Sequence, residues 1–235
     1  MTSTDTAGPG QPATRGAPCR QCLLAAQCPL SCQLGLAQLA TRSGEVRLRS
    51  FARGSMALRE GERPPRCLFV KSGLLLIRQT GLDGVGRAIA VIGAGYLLGF
   101  TTAHNGQGSL MSAQALTPVS ACELPDGVPD RACLAPYTRR AVETLGAWGQ
   151  LMRIPSLPQR LAAALHLIAS VQPSLSTLLP SQSVLAELLC VTRESVNRSW
   201  REFEARGIVG RRHGRAVGLD LAALADIARH APAVS

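Results

Sequence analysis

The 235-residue sequence predicts an α+β protein in which a β-rich half precedes a helical half. Short apolar runs separated by glycine and proline occupy the region from about Ser43 to Pro125. Their spacing of roughly 8–12 residues is typical of a small antiparallel barrel or sandwich. From Arg131 onward, apolar residues recur at helical spacing instead. The chain also ends in a pattern of two short helices and a hairpin, which indicates its function.

The two short helices lie between Pro180 and Val209. Ser181 or Ser183 can cap the first helix, and Cys190-Val191 form a tight turn. Thr192 is a good N-cap for the second helix, and Gly207 is a good residue to end it. This arrangement predicts a helix-turn-helix, whose second helix enters the major groove of DNA.

The second helix has two different faces. Val196, Trp200 and Phe203 cluster on one side at about 100° per residue. The other side carries Arg193, Glu194, Asn197, Arg198 and Arg201. These residue types read DNA bases, because Arg forks onto guanine, Asn binds adenine and Glu accepts from cytosine. An ordinary amphipathic helix with a solvated charged face is the alternative. Ser181 and Thr192, at helix N-termini, are candidate phosphate contacts.

The segment after this helix predicts a wing. The residues GIVGRRHGRAVGLD form a short apolar run, a turn rich in Gly and Arg, and a second run that ends at Leu219. Arg211, Arg212, His213 and Arg215 are placed to contact phosphates, although His213 could equally be an exposed turn residue. A hairpin that follows a helix-turn-helix favours DNA binding over an ordinary amphipathic helix with a solvated charged face.

Composition bounds the function only loosely. The chain carries 25 basic and 15 acidic residues, for a net charge of +10, which weakly supports a polyanionic partner. Lys71 is the only lysine, and an arginine bias of this kind is also typical of a GC-rich genome. No apolar run reaches the ~18 residues of a membrane span, and the N-terminus does not resemble a signal peptide. We therefore expect a cytoplasmic protein whose eight cysteines are thiols or metal ligands rather than disulfides.

Four cysteines lie close together near the N-terminus, after a leader of residues 1–18 that we expect to be disordered. Cys19, Cys22, Cys28 and Cys32 have the spacing C-x2-C-x5-C-x3-C. Four thiolates in so short a segment predict a soft-metal site that holds zinc or an iron–sulfur cluster. The spacing does not choose between the two, although the x5 gap fits paired zinc knuckles poorly. The other cysteines, Cys67, Cys122, Cys133 and Cys190, lie far along the chain.

A long helix is predicted between the two halves, over Arg131–Arg153. Its apolar stripe, Ala141, Leu145, Trp148 and Met152, is typical of core packing or of a dimer seam. Pro155 and Pro158 end or kink this helix. Further helices are predicted over Gln159–Ser170 and Leu221–Arg229.

Three stretches, RESVNRSWREFEARGIV, GAGYLLGF followed by SAQAL, and SACELP, carry a resemblance to the Crp/Fnr family of bacterial transcription regulators. The resemblance covers nearly the whole chain from Cys19. It implies an N-terminal antiparallel β-roll of the cyclic-nucleotide-binding kind, a linking dimerisation helix and a C-terminal winged helix-turn-helix. The implied divisions are a disordered leader at 1–18, a cysteine-rich segment at 19–32, the roll at 33–130, the dimerisation helix at 131–158 and the DNA-binding domain at 159–235.

Cys19, Cys22 and Cys28 together with the remote Cys122 are similar to the ligand set of the Fnr branch, the fumarate–nitrate reduction regulators. That resemblance implies an oxygen-labile [4Fe–4S] cluster held by these four residues. It further implies a homodimeric regulator that binds a two-fold symmetric site while the cluster is intact, with RNA polymerase as a partner; the sequence leaves activator and repressor roles open. We expect no enzymatic activity, because the sequence has no Gly-rich phosphate loop, no nucleophile elbow and only four scattered His. Cys32 is a rival ligand, and Cys122 would be an ordinary buried thiol if all four tail cysteines bound one metal. A regulator that uses zinc, thiol redox or nitric oxide is the alternative.

The resemblance has limits at three places. No arginine lies between Arg87 and Arg131, so a cyclic phosphate would lack its charge partner and we expect no cyclic nucleotide. His104 is a possible axial ligand, so heme is not excluded as a ligand of the roll. Asn197 stands where the Fnr branch reads bases with a Ser, and Arg193 precedes the Glu as it does in the cyclic-AMP-receptor branch. The remaining cysteines, Cys67, Cys133 and Cys190, are expected in the core.

Overall fold

The computed structural model describes residues 14–15, 19, 22–33, 45–64, 66–172, 179–212 and 215–229. Their β-rich part consists of two antiparallel sheets. The first has the strand order β1-β2-β9-β4-β7 and the second the order β3-β8-β5-β6. The strands are β1 (Thr14–Arg15), β2 (Arg47–Phe51), β3 (Met56–Leu58), β4 (Leu68–Ser72), β5 (Leu75–Thr80), β6 (Gly86–Ile92), β7 (Leu97–Leu98), β8 (Ser112–Ala115) and β9 (Val119–Glu123).

The two sheets share one hydrophobic core. Val70 of the first sheet and Leu75 and Leu76 of the second are fully buried in the same cluster. The strands that supply these residues are joined by a turn that requires glycine. Gly73 has a φ of +89°, and a Cβ at this position would lie 2.3 Å from the carbonyl oxygen of Pro118. The roll is therefore closed tightly at this corner.

Five of the described helices follow the pattern predicted from the sequence, whereas two short ones, before the roll and at Phe100–Asn105, were not predicted. A short helix α1, described at residues 29–33, precedes the roll, and a 3-10 turn lies just before it at Ala25–Gln27. The others are α2 (Phe100–Asn105), α3 (Ala135–Leu151), α4 (Leu157–Ser170), α5 (Gln182–Leu188), α6 (Arg193–Ala205) and α7 (Leu221–Arg229). The hairpin β10 (Val209–Arg212) and β11 (Arg215–Leu219) lies between α6 and α7.

The α+β class with an antiparallel roll, a linking helix and a winged helix-turn-helix is confirmed. The linking helix α3 is shorter than predicted, because residues before Ala135 form turns. In one of these turns the Asp130 carboxylate accepts the backbone N–H of Cys133 at 2.9 Å. Trp148 of the apolar stripe is buried, whereas Leu145 is 37% exposed and the neighbouring Val142 is 65% exposed. One face of α3 thus packs on the core and another remains open in this single chain.

The roll and the helical half are in direct contact. The Arg78 guanidinium on β5 forms a bidentate ion pair with the Glu187 carboxylate on α5. The backbone N–H of Ala94 donates to the carbonyl oxygen of Val171 at 3.1 Å. The hydrophobic cluster also runs on from the strands into α4, α5 and α6. Among the described residues, no helix is long and apolar enough to cross a membrane.

Three expectations from the sequence are corrected. Cys32 and Cys133 form a disulfide, so the prediction that every cysteine is a thiol or a ligand is wrong for these two. Cys190 is exposed rather than buried, because it occupies the turn between α5 and α6 with a φ of 52°. Thr14–Arg15 form a strand, so disorder is wrong there, and the rest of the 1–18 leader lies outside the described residues.

Candidate DNA-binding surface and cysteine pocket

The helix-turn-helix is built by the two caps that the sequence predicts. The Ser181 hydroxyl accepts the backbone N–H of Val184 at 3.3 Å and begins α5. The Thr192 hydroxyl accepts the backbone N–H of Ser195 at 3.2 Å and begins α6. Each cap satisfies an amide that the helix itself cannot pair. Both hydroxyls therefore have a structural role at these helix starts, and their predicted contact with phosphates stays a prediction.

Helix α6 divides into a buried and an exposed face. Val196 and Phe203 are fully buried and Trp200 nearly so, with its indole N–H donating to the Glu204 carboxylate at 2.6 Å. On the opposite face Arg193, Glu194 and Arg198 are exposed and Asn197 is half-buried. The structure thus brings the four predicted base-reading residues together on one surface, which we call the recognition face.

The recognition face is chemically free to bind. Within the residues that the structure describes, no hydrogen bond or ion pair engages the side chains of Arg193, Glu194 or Arg198. The β10–β11 hairpin follows at the end of α6, with Val209 opposite Leu219. The side chains of Arg211, Arg212 and Arg215, and the whole of His213, lie outside the described residues.

The four predicted ligands line one pocket in a different part of the molecule. Cys19, Cys22, Cys28 and Cys122 surround it together with Lys71, and it encloses about 390 Å³ of space including its open mouth. We call this space the cysteine pocket. Spacing along the sequence gives no reason for Cys122 to lie beside the others, so its position here is decided by the fold.

Two kinds of backbone hold these cysteines. Cys122 lies on β9, the central strand of the first sheet, opposite Leu48 on β2 and Phe69 on β4. Cys19, Cys22 and Cys28 lie on consecutive tight turns. The N–H of Cys22 donates to the carbonyl oxygen of Cys19 at 3.2 Å, and that of Cys28 to Ala25 at 3.1 Å. A central strand therefore supplies one thiol, and a segment of tight turns supplies the other three.

The pocket walls are apolar, formed by Leu30, Val46, Phe69 and Leu124. Burial raises the pKa of Cys28 and raises that of Cys122 to about 12. Burial and the nearby Cys22 also raise the pKa of Cys19. The Lys71 ammonium opposes this effect and lowers the pKa of Cys19 and Cys122. The thiols of Cys19, Cys28 and Cys122 are therefore protonated near neutral pH, and a bound metal would have to displace their protons.

The donor set of the cysteine pocket is compatible with two kinds of metal centre. Within the described residues, no three His, Cys, Asp or Glu side chains are gathered closely enough to hold one ion. A structural zinc takes four ligands at about 2.3 Å from a single centre. In a four-iron cluster each cysteine thiolate binds a different iron. The cysteines that line the pocket are soft donors of the type that either centre takes.

The cysteine-bearing segment is docked against the start of α3. The Tyr137 hydroxyl donates to the carbonyl oxygen of Gln27 at 2.8 Å. The Gln33 amide donates to the carbonyl oxygen of Gly127 and accepts the N–H of Asp130, both at 3.3 Å. The Cys32–Cys133 disulfide adds a covalent link in the same place. Sequence reasoning missed this connection, because it treated Cys32 as a rival ligand and Cys133 as a core residue.

A second, larger pocket lies between the roll and α3. It includes about 980 Å³ of space with its open mouth, and most of the residues that line it are apolar. Within the described residues, none of the side chains that line it is charged. Arg140 stacks on the Tyr96 ring at 4.3 Å and donates to the carbonyl oxygen of Ala94. A cyclic phosphate would have no ionic partner in this lining, and the side chain of His104 lies outside the described residues.

The comparisons with known proteins agree with this architecture. A family model described as a cyclic nucleotide-binding domain matches residues 48–132. A second, described as a Crp-like helix-turn-helix domain, matches residues 159–227. No curated protein gives a significant match.

Solved structures of similar fold include two bacterial proteins. One is TTHA1359 of Thermus thermophilus, described as a transcriptional regulator of the CRP/FNR family. It is 23% identical with a TM-score of 0.61, over 79% of this chain and 100% of that one. The other is FixK2 of Bradyrhizobium japonicum, 18% identical with a TM-score of 0.66, over 80% and 99%. At these identities the likeness shows a shared fold.

The fold and the recognition face define a DNA-binding regulator in which a β-roll precedes a winged helix-turn-helix. The two family models, in this order along the chain, identify it as a transcription regulator of the Crp/Fnr type. Regulators of this class bind DNA and act as dimers.

Proposed function

We propose that this chain is an oxygen- or redox-responsive transcription regulator of the Fnr branch. In this proposal Cys19, Cys22, Cys28 and Cys122 hold a [4Fe–4S] cluster. The observation that carries it is the convergence of three N-terminal cysteines and one central-strand cysteine on a single apolar pocket. Such a cluster supplies a centre that oxygen can damage, which makes it suitable for a sensor. The regulator would act at promoters with RNA polymerase, in the cytoplasm.

The contacts around the pocket support a route from the signal to the dimer seam. Tyr137 lies in the first turn of α3 and holds the carbonyl oxygen of Gln27, in the segment that carries the three cysteines. Its ring packs edge-on against Phe69, which lines the cysteine pocket. A change in the segment is therefore felt directly at the start of α3.

The open face of α3 supports a homodimer. Val142 and Leu145 expose apolar surface on the helix that links the roll to the DNA-binding part. Burial of such a stripe against a second copy is the usual way for a helix to form a dimer seam. Two recognition faces must also be held about one helical turn of DNA apart to bind a two-fold symmetric site. Loosening of the seam would therefore lower affinity for DNA.

The test compares Cys122, on β9, with a second buried cysteine of the roll, Cys67. Wild type, Cys122→Ala and Cys67→Ala are purified without oxygen and assayed for iron, sulfide, zinc and visible absorption. Cys67 is a matched control, because it is 2% exposed, lies just before β4 and does not line the pocket. We expect iron and sulfide in wild type and Cys67→Ala, and neither in Cys122→Ala.

The functional readout is DNA binding before and after exposure to air, measured on a symmetric duplex selected with the anaerobic protein. Wild type and Cys67→Ala should lose both colour and affinity in air. Stoichiometric zinc in colourless protein, or equal affinity with and without air, would overturn the proposal. Iron retained in Cys122→Ala would move the metal site into the N-terminal segment alone.

A further inference from the structure

We propose that Cys32 and Cys133 form a reversible disulfide, a second redox site that is separate from the cysteine pocket. The structure joins the two residues across 101 positions of sequence, with their Cα atoms 6.1 Å apart. Neither residue lines the pocket that the other four cysteines share. In this proposal Cys32 and Cys133 react with oxidants without the participation of the four proposed ligands.

The two residues differ in exposure, which suggests the order of the chemistry. Cys32 is exposed on α1, whereas Cys133 is only 7% exposed in the turn before α3. Reagents reach an exposed thiol first, and a neighbouring cysteine then resolves the product. Cys32 is thus the reactive residue and Cys133 the resolving one.

Hydrogen peroxide is an oxidant of the required class. The Cys32 thiolate attacks one peroxide oxygen and the O–O bond breaks. The other oxygen departs as hydroxide, and Cys32 becomes a sulfenic acid. The Cys133 thiolate then attacks the Cys32 sulfur, and the sulfenic oxygen leaves as hydroxide. With the two thiol protons, the products are one disulfide and two waters. Reduction by a small thiol such as glutathione begins at the accessible Cys32 sulfur, and a second glutathione completes it with release of glutathione disulfide.

Formation of this bond would hold the metal-binding segment in place. The backbone N–H of Cys32 donates to the carbonyl oxygen of Cys28 at 3.0 Å, so the pair lies one helical turn beyond a pocket cysteine. Without the bond, the contacts between α1 and the turn before α3 include the two hydrogen bonds of Gln33. Both are near the long end of the normal range. Reduction should therefore loosen residues 22–33 relative to the roll.

The first measurement uses the full-length, metal-free chain. Fully reduced protein is treated with hydrogen peroxide, quenched with a maleimide and digested for mass spectrometry. We expect one cross-linked peptide pair, Cys32 to Cys133, which dithiothreitol reverses. Cys190→Ser removes an exposed cysteine elsewhere and should leave the cross-link unchanged. Peroxide that oxidises Cys190 while Cys32 and Cys133 stay free, or that links Cys32 to a pocket cysteine, would overturn the proposal.

The second measurement tests the consequence. Amide hydrogen exchange of residues 22–33 is compared between reduced and oxidised protein, in wild type and in Cys32→Ser. Exchange should slow by at least about tenfold on oxidation of wild type, a low estimate for closure of a long loop. It should not change in Cys32→Ser, and equal rates in reduced and oxidised wild type would refute the anchoring role. Because this sample contains no metal, the result is independent of whether a cluster binds.

Discussion

Arg198 offers a sharp test of the recognition face. It lies near the middle of α6, exposed, on the side opposite the buried Trp200 and Phe203. A guanidinium in this position can make two hydrogen bonds to guanine in the major groove, worth about 1–3 kcal/mol per base pair. A dimer makes this contact twice, so Arg198→Ala should cost about 2–6 kcal/mol on a symmetric site. The lower limit corresponds to roughly a 30-fold rise in Kd.

The affinity lost in Arg198→Ala should come only from recognition of the DNA base sequence. Discrimination at one base pair of each half-site should disappear, while affinity for unrelated DNA changes little. The slope of log affinity against log salt should stay nearly constant. Loss of a phosphate contact would instead make that slope shallower by about 0.9 per half-site.

Arg206→Ala is the matched control. Arg206 is also exposed on the end of α6, but it lies at the C-cap and pairs with Glu202 at 3.8 Å. Both variants remove one positive charge per chain from the same helix, so a difference between them reports where the charge lies rather than the loss of charge itself. The assay is fluorescence anisotropy on the selected duplex and on its single-base variants, at several salt concentrations. A uniform loss on all sequences, or an equal effect of Arg206→Ala, would refute the base-reading role.

Three further predictions concern stability and the cysteine pocket. Burial raises the pKa of Cys67 from 9.0 to about 11. The contribution of this thiol to the free energy of unfolding is complete below pH 9 and is lost as pH rises toward 11. Two units correspond to about 2.7 kcal/mol. In urea unfolding of reduced, metal-free protein, the fall in unfolding free energy between pH 9 and pH 11 should be smaller by about this amount in Cys67→Ala than in wild type, because other buried thiols also titrate there. Equal falls in the two proteins would contradict the prediction. Lys71→Gln removes the cation beside the pocket and should speed iron release to a chelator by about tenfold, with unchanged release as the contrary result. Glu187→Gln breaks the partly buried pair with Arg78 and should lower unfolding free energy by about 0.5–1 kcal/mol. Glu143→Gln, at a fully exposed pair, should cost less, and an equal cost would argue against a role for burial.

The helical half is well predicted because its signals are local. Thr192 caps α6 with an amide three residues away, and α7 has the bounds that its apolar periodicity predicts. A cap or a helical face involves residues within one or two turns, so neighbours in sequence decide the outcome. The strand β2 escaped prediction for the opposite reason. Its residues RLRSF bury only the last side chain, and the strand exists because β9 and β1 pair with it.

The sequence by itself predicted the order of the parts, which the structure confirms, and also predicted base-reading residues on α6 and soft metal ligands near the N-terminus. The tertiary structure decided which cysteines meet. Cys122 reaches the pocket because β9 is the central strand of its sheet, and Cys32 lies outside the pocket, bonded to Cys133. These contacts join residues about a hundred positions apart, and no local pattern encodes them. They follow from the pairing of strands and from the docking of α1 against the start of α3.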